Sequence, residues 1–256
     1  MKYLIAANWK MHKTVAETLD YLDKFLPAVK DLFTVDIMIA PPFTALASAS
    51  IKLDAAKKEG AYNVHLGAQN MFWADEGAFT GEISPIMLNE LDVKYVIIGH
   101  SERRHIFKED NDLINKKIYS AVEHGIRPIL CVGETIEERE QGITLKVIEK
   151  QIKAGLAGIE MDMPFIDIAY EPVWAIGTGK TATPEQAEEV HRFIRELIHD
   201  LSKGNDNKTR ILYGGSVKPE NAKNLIVKDN VDGFLVGSAS LDPQKFYKII
   251  TEVLEV

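Results

Sequence analysis

The sequence predicts an α/β protein, a (β/α)8 barrel. Eight short apolar runs alternate with longer amphipathic or polar stretches along the 256 residues, one unit about every 32 residues. Most of these runs are continuously apolar, which is typical of parallel strands buried on both faces. No change in composition marks a linker, so we expect a single domain over residues 1–256. An open, doubly wound sheet is the alternative, because counting units does not prove closure.

Each strand and helix is placed from its hydrophobic pattern. The strands are expected at residues 3–9, 35–40, 63–68, 94–99, 128–132, 165–170, 210–213 and 233–236. The helices are expected at residues 15–29, 44–58, 135–155, 184–201 and 243–254, with two more beginning after Ser101 and near residue 219. Pro27 is expected to bend or break the first helix, because it has no backbone N–H to donate.

The overall composition excludes several classes of protein. With 46% hydrophobic and 27% charged residues, the chain has ordinary globular composition. Its net charge of -8 argues against nucleic acid as the main partner. The apolar stretches are too short for a transmembrane helix or a signal peptide. A single cysteine, Cys131, makes an intramolecular disulfide impossible and fits a reducing compartment. We therefore expect a cytoplasmic protein in which Cys131 is a buried, inert thiol.

Polar residues follow five of the predicted strands. Asn8 and Lys10 follow the first strand, His100 the fourth and Glu171 the sixth, while glycine-rich turns follow the seventh and eighth. In a barrel these strand ends surround one mouth, where active sites lie. A cation, a histidine, a carboxylate and backbone N–H groups at glycine turns suit an anionic small molecule and proton-transfer chemistry.

Seven segments carry a resemblance to a known family. They are AANWKMH (6–12), GAQNMFW (67–73), GAFTGEISP (77–85), GHSERR (99–104), AYEPVWAIGTGK (169–180), YGGSV (213–217) and FLVGSASL (234–241). In order and spacing, the sequence resembles triosephosphate isomerase over essentially the whole chain. The resemblance implies a TIM barrel that interconverts dihydroxyacetone phosphate and glyceraldehyde 3-phosphate in glycolysis and gluconeogenesis.

The resemblance also implies a role for each candidate residue. Glu171 would move the proton and His100, kept neutral at a helix N-terminus, would polarise the carbonyl. Asn8 and Lys10 would bind the oxygens, with Glu102 in support. The residues implied in phosphate binding are Gly177, Ser216, Gly237 and Ser238. Ser238 departs from the family, which more often has glycine there, so a need for a glycine-only conformation is an open question.

Two loops are assigned by the same resemblance. Residues 172–180 would form a mobile lid, although Thr178-Gly179-Lys180-Thr181 superficially suggests a phosphate-binding loop. The segment from Gln69 to Gly81 is long and rich in aromatic residues, so it either folds over its own barrel or lies at an interface. The resemblance implies a homodimer in which this loop brings Thr80 close to the neighbouring subunit's Asn8 and Lys10.

We expect no metal and no cofactor, because no Cys/His spacing suits a metal and no GxGxxG suits a dinucleotide. Two other functions are alternatives to the isomerase. A Schiff-base aldolase would need a reactive lysine facing the carbonyl, and Lys10 is the candidate. A phosphosugar-binding protein without catalysis would not need both Glu171 and His100.

Overall fold

A computed structural model describes residues 2–61, 63–175 and 181–256. The eight strands are β1 (Tyr3–Asn8), β2 (Val35–Ala40), β3 (Val64–Ala68), β4 (Tyr95–Ile98), β5 (Arg127–Val132), β6 (Asp167–Tyr170), β7 (Ile211–Tyr213) and β8 (Gly233–Val236). All neighbouring pairs are parallel, and the strands close into one barrel in the order of the sequence.

Pairing between β1 and β8 closes the barrel. Leu4 lies opposite Gly233, and Ala7 lies opposite Val236. A Cβ atom on Gly233 would come within 1.9 Å of the Leu4 carbonyl oxygen, and Gly233 has φ +149°. Glycine therefore allows the first and last strands to meet this closely. The prediction of a (β/α)8 barrel is confirmed, and the open sheet is excluded.

The helices surround the barrel. They are α1 (Val15–Val29), α2 (Phe43–Lys58), α3 (Pro85–Glu90), α4 (Ser101–His105), α5 (Asn111–Glu123), α6 (Ile136–Glu140), α7 (Thr144–Gly155), α8 (Pro184–Leu201), α9 (Pro219–Ile226) and α10 (Pro243–Leu254). Short 3₁₀ helices span Glu160–Phe165, Val173–Ala175 and Ser238–Leu241. None of the described helices has the length and apolar character needed to cross a membrane.

The structure differs from the prediction at one helix and one strand, and of the bend or break predicted at Pro27 it excludes the break. The helix expected at residues 135–155 is two helices, α6 and α7, separated by a turn in which Gly142 has φ +70°. Pro27 does not break α1, which continues to Val29. Pro27 lies in the last turn, and Leu26 and Val29 beside it are buried against the core. The strand expected from residue 165 begins at Asp167, because a 3₁₀ helix occupies residues 160–165.

Side chains of the strands divide the core into two layers. Those of Leu4 and Ala6 belong to a compact cluster inside the barrel, with Cys131 and Leu212. Ile5 and Ala7 belong instead to the larger cluster between the strands and the helices. This alternation is the period of two expected for a strand buried on both faces. Cys131 is completely buried, and burial raises the pKa of its thiol, as expected of an inert cysteine.

An ionic network lies at the amino-terminal end of the barrel. Arg210 Nη2 donates to Asp167 Oδ2 over 2.8 Å, while its Nη1 donates to Asp36 Oδ2 over 2.9 Å. Arg127 Nη2 donates to the other Asp167 oxygen over 2.7 Å. Burial raises the pKa of Asp167, but the two guanidinium groups outweigh it and hold that pKa below its ordinary value. The network joins β2, β5, β6 and the start of β7 at the end opposite the candidate active site.

Candidate active site

A cavity of about 700 Å³ lies at the carboxyl ends of the strands. Its walls include Asn8, Lys10, His100 and Glu171, together with the segments 214–220 and 237–239. Because all eight strands are parallel, their carboxyl ends meet on the same face of the barrel. The structure thus brings together the residues that sequence analysis placed after the first, fourth, sixth, seventh and eighth strands.

Glu171 and His100 are in direct contact inside this cavity. His100 Nε2 lies 2.9 Å from Glu171 Oε1, and the Ser101 N–H donates to Glu171 Oε2 over 2.9 Å. The Glu171 side chain is 2% exposed, so desolvation favours its neutral form. Burial raises the pKa of Glu171, but His100, the Ser101 N–H and Lys10 lower it below its ordinary value overall. The carboxylate is therefore held ionised although its side chain is buried.

The two ring nitrogens of His100 have different partners. Nδ1 accepts a hydrogen bond from the Glu102 N–H over 3.3 Å, whereas Nε2 faces the Glu171 carboxylate. Burial lowers the pKa of His100, but contact with Glu171 outweighs it and raises the pKa. With a single ring proton, only the Nε2–H tautomer satisfies both partners. The charge of His100 therefore depends on two features, the N-terminus of α4 and the position of the Glu171 carboxylate.

The backbone of Lys10 is held from both sides. Lys10 has φ 51°, a left-handed conformation that is uncommon for a residue with a side chain. Its N–H donates to Asn8 Oδ1 over 3.1 Å, and its carbonyl accepts from Gln69 Nε2 over 2.8 Å. Gln69 also donates to the Ala40 carbonyl at the end of β2 over 2.9 Å. These bonds stabilise a strained backbone that directs Lys10 into the cavity.

The side chain of Lys10 is fixed by Glu102. Lys10 Nζ lies 2.7 Å from Glu102 Oε1, and the two side chains are 26% and 40% exposed. Glu102 lies in the first turn of α4, directly after His100 and Ser101. Glu102 thereby makes two contacts in the site. Its carboxylate orients the Lys10 ammonium group, and its backbone N–H orients the His100 ring.

Two glycines allow the backbone to pack around Glu171. A Cβ atom on Gly133 would lie 1.8 Å from the Glu171 carbonyl oxygen. A Cβ atom on Gly214 would lie 2.9 Å from Glu171 Cγ. Both distances are too short for any other residue without movement of the neighbour. Sequence analysis did not assign Gly133 a role, since a single glycine after a strand carries no sign of its distant neighbour.

Four residues that line the cavity have backbone N–H groups without a partner among the described residues. They are Gly215, Ser216, Gly237 and Ser238. Unpaired N–H groups at turns are suited to binding phosphate oxygens. Ser238 does not have a positive φ, so its backbone does not require glycine. Of the four residues predicted to bind phosphate, Gly177 lies outside the described residues, as do residues 176–180 of the predicted lid.

Glu134 is a buried polar residue that sequence analysis missed. It follows β5, is fully buried, and accepts from Tyr170 Oη over 3.1 Å and from Trp174 Nε1 over 2.9 Å. Arg139 Nη1 lies 3.1 Å from the same oxygen, and its guanidinium stacks 4.4 Å from the Trp174 ring centre. These contacts anchor the start of the segment that was predicted to be a lid.

The loop from Gln69 to Gly81 has both buried and exposed apolar residues. Met71 is fully buried, but Trp73 and Phe79 are 38% and 40% exposed. The Phe79 ring packs 4.5 Å from the ring of Phe72, which itself is half-buried. Thr80 is exposed beside them. The loop is therefore attached to its own barrel through part of its apolar surface and presents the rest outward.

Comparison with known proteins decides the family. The triosephosphate isomerase family model matches residues 3–253. The chain belongs to the triosephosphate isomerase family. A triosephosphate isomerase of Aquifex aeolicus is 58% identical over 250 residues, covering 98% of this chain and 99% of the relative. Another, of Carboxydothermus hydrogenoformans, is 52% identical over 251 residues, covering 97% and 98%.

Triosephosphate isomerases interconvert dihydroxyacetone phosphate and glyceraldehyde 3-phosphate, a step of glycolysis. Family membership over nearly the full length therefore confirms the prediction of an aldose–ketose isomerase that acts on a triose phosphate. It decides against the aldolase and the non-catalytic binding protein that sequence analysis had weighed. The roles of individual residues rest on the geometry of the cavity.

Proposed function

We propose that Glu171, His100, Lys10 and Asn8 carry out the isomerisation in the cavity at the carboxyl end of the barrel. The observation that supports this proposal best is the contact of 2.9 Å between Glu171 Oε1 and His100 Nε2. The reaction needs a base that removes a proton from the carbon beside the carbonyl and a hydrogen-bond donor to the carbonyl oxygen. The Glu171 carboxylate and the His100 ring are two such groups.

Glu171 is the proposed base. Its carboxylate takes the proton from the carbon next to the substrate carbonyl, which leaves the electron pair in an enediolate. The same proton returns to the neighbouring carbon, while the hydroxyl proton of the enediolate passes to the former carbonyl oxygen and the oxygen it leaves becomes the new carbonyl. Glu171 therefore ends the reaction ionised as it began. Before this step the carboxylate must leave His100 Nε2 and the Ser101 N–H, which bind it at 2.9 Å each. Substrate oxygen then replaces Glu171 as the partner of His100.

His100, Lys10 and Asn8 are the proposed ligands of the substrate oxygens. The Nε2–H of a neutral His100 ring donates to the carbonyl oxygen as negative charge develops there. Once substrate separates His100 from Glu171, the contact that raises the pKa of His100 is lost, which favours the neutral ring. The Lys10 ammonium, fixed 2.7 Å from Glu102, stabilises the enediolate, and the Asn8 amide group donates beside it.

The phosphate is proposed to bind to the N–H groups of Ser216, Gly237 and Ser238, and Gly177 is proposed as a further ligand. The support is that Ser216, Gly237 and Ser238 line the cavity and that their N–H groups have no partner among the described residues. Residues 172–180 are proposed to close over the intermediate and to limit the loss of its phosphate.

Replacing Glu171 by glutamine tests the base. Glu171→Gln keeps the size of the side chain and removes the proton acceptor, so kcat should fall about 10²- to 10⁴-fold. KM should change much less, because the residue acts on the transition state. Glu149→Gln, on the surface of α7, is the matched control and should keep full activity. Turnover close to that of the unchanged protein would overturn the assignment.

We also propose a homodimer and a cytoplasmic location. The loop from Gln69 to Gly81 would pack against the second subunit and place Thr80 near that subunit's Lys10. The exposed rings of Trp73 and Phe79 support an interface there, since burying them on association would remove apolar surface from water. The single, buried Cys131 fits a reducing compartment.

A further inference from the structure

The segment 214–218, between β7 and α9, has few backbone hydrogen bonds. The Gly214 N–H donates to the Tyr170 carbonyl over 2.7 Å, and the Lys218 carbonyl accepts from the Asn221 N–H over 3.1 Å. Between these two points, no backbone-to-backbone bond joins residues 215–217 to the rest of the described chain. A segment that must present N–H groups to an anion therefore depends on side chains for its shape.

The side chain of Asn221 supplies both of the bonds that are needed. Its Oδ1 accepts from the Lys218 N–H over 2.8 Å, and its Nδ2 donates to the Ser216 carbonyl over 3.0 Å. Asn221 is in the first turn of α9, so its position is set by the helix. One amide group thus fixes the peptide planes on both sides of Val217, whose side chain is 4% exposed in the core.

The bond to the Ser216 carbonyl has an electrostatic consequence. That carbonyl carries partial negative charge within one residue of the Ser216 N–H, which lines the cavity. Pairing it with Nδ2 of Asn221 offsets this charge and stops the peptide from turning its oxygen toward a bound dianion. An alanine at this position would leave the carbonyl free to rotate.

We propose that Asn221 is a positioning residue for phosphate binding. It does not line the cavity, and it acts by holding Ser216 and Lys218 in the conformation that offers the Ser216 N–H to the phosphate. This inference rests on the proposed phosphate site. The side chain of Asn221, on α9, strengthens the binding of the phosphorylated substrate at that site.

The test compares substrates with and without phosphate. In Asn221→Ala, KM for glyceraldehyde 3-phosphate should rise about tenfold with kcat nearly unchanged, because the lost contact binds ground state and transition state alike. The value of kcat/KM for phosphate-free glyceraldehyde should not change. Inhibition by inorganic phosphate should weaken by a similar factor.

Asn221→Asp separates positioning from stability. Aspartate keeps an acceptor for the Lys218 N–H and suits the first turn of a helix, so thermal stability should be retained. It has no donor for the Ser216 carbonyl, so KM should rise at least as much as in the alanine variant. Asn115→Ala is the matched control, since Asn115 Nδ2 donates to the carbonyls of Gly155 and Ala157 over 3.0 Å each, outside the residues that line the cavity.

Three outcomes would overturn the inference. They are an unchanged KM in Asn221→Asp, an equal loss for the phosphorylated and the phosphate-free substrates, or an equal rise in KM in Asn115→Ala. Failure of the proposed phosphate site would look different, because the unchanged protein would then show no preference for the phosphorylated substrate.

Discussion

Replacement of His191 by phenylalanine should reduce the destabilisation of the protein by acid. His191 lies on α8 and is fully buried, with Nδ1 3.1 Å from the Asn230 carbonyl oxygen. Its ring centre is 5.9 Å from that of Tyr170 and 6.3 Å from that of Tyr213. Burial, with a smaller contribution from the Arg195 guanidinium, lowers the pKa of His191 to about 4 against the opposing effect of the Asn230 carbonyl.

The magnitude follows from the difference between the folded and unfolded pKa values. Above the unfolded pKa of about 6.5, His191 is neutral in both states and its protonation does not affect the free energy of unfolding. As the pH falls below that value the unfolded chain binds the proton first, so stability decreases. At pH 5 the loss is about 2 kcal/mol, and it reaches about 3 kcal/mol below pH 4.

Urea unfolding at pH 7.5 and at pH 5, at one protein concentration, measures this effect. The decrease in free energy of unfolding between the two pH values should be about 2 kcal/mol smaller in His191→Phe than in the unchanged protein. His199→Phe is the control, because His199 is also on α8 but its side chain is 64% exposed. An equal decrease in His191→Phe and the unchanged protein would refute the argument.

Three further substitutions test other parts of the molecule. Arg210→Met leaves the fully buried Asp167 with one cationic partner, so it should lower stability by about 3–5 kcal/mol and the melting temperature by about 10 °C, measured by calorimetry. Thr80→Arg should weaken the proposed dimer and reduce activity, and a dimer that persists at nanomolar concentration with full activity in a dilution series would contradict this. Gly133→Ala should displace the Glu171 backbone, whose carbonyl oxygen lies 1.8 Å from the added Cβ atom, and reduce kcat in an isomerisation assay.

Local patterns in the sequence were enough to predict the strands. Most of the strands are short apolar runs, because their side chains are buried on both faces of the sheet. The closure between β1 and β8 could not be derived in this way, because Leu4 and Gly233 pair across almost the whole chain. The split between α6 and α7 was also missed, since it depends on the conformation of the turn at Gly142.

The site residues were predictable where they lie at the end of a strand or within two residues of it. Asn8, Lys10, His100 and Glu171 all meet this condition, and parallel strands bring them to one cavity. The resting contact between Glu171 and His100 was not predicted, because it depends on side-chain conformation.

The residues that hold the site in place were harder to find. Gln69 is separated from Lys10 by 59 positions, and Glu134 from Trp174 by 40. Gln69 does follow a strand, so applying the strand-end rule to β3 would have identified it. Nothing in the local sequence of Glu134 shows that it is buried and accepts hydrogen bonds from Tyr170 and Trp174.

The closed barrel also limits how two copies of this chain can associate. In an open sheet, the outermost strands carry backbone groups that can extend the sheet into another molecule. Here the last strand pairs with the first, so every strand has two neighbours and the sheet offers no such template. Any contact between copies must therefore be made by loops and helices, and separating them would break no β-ladder. This protects the chain from edge-to-edge aggregation.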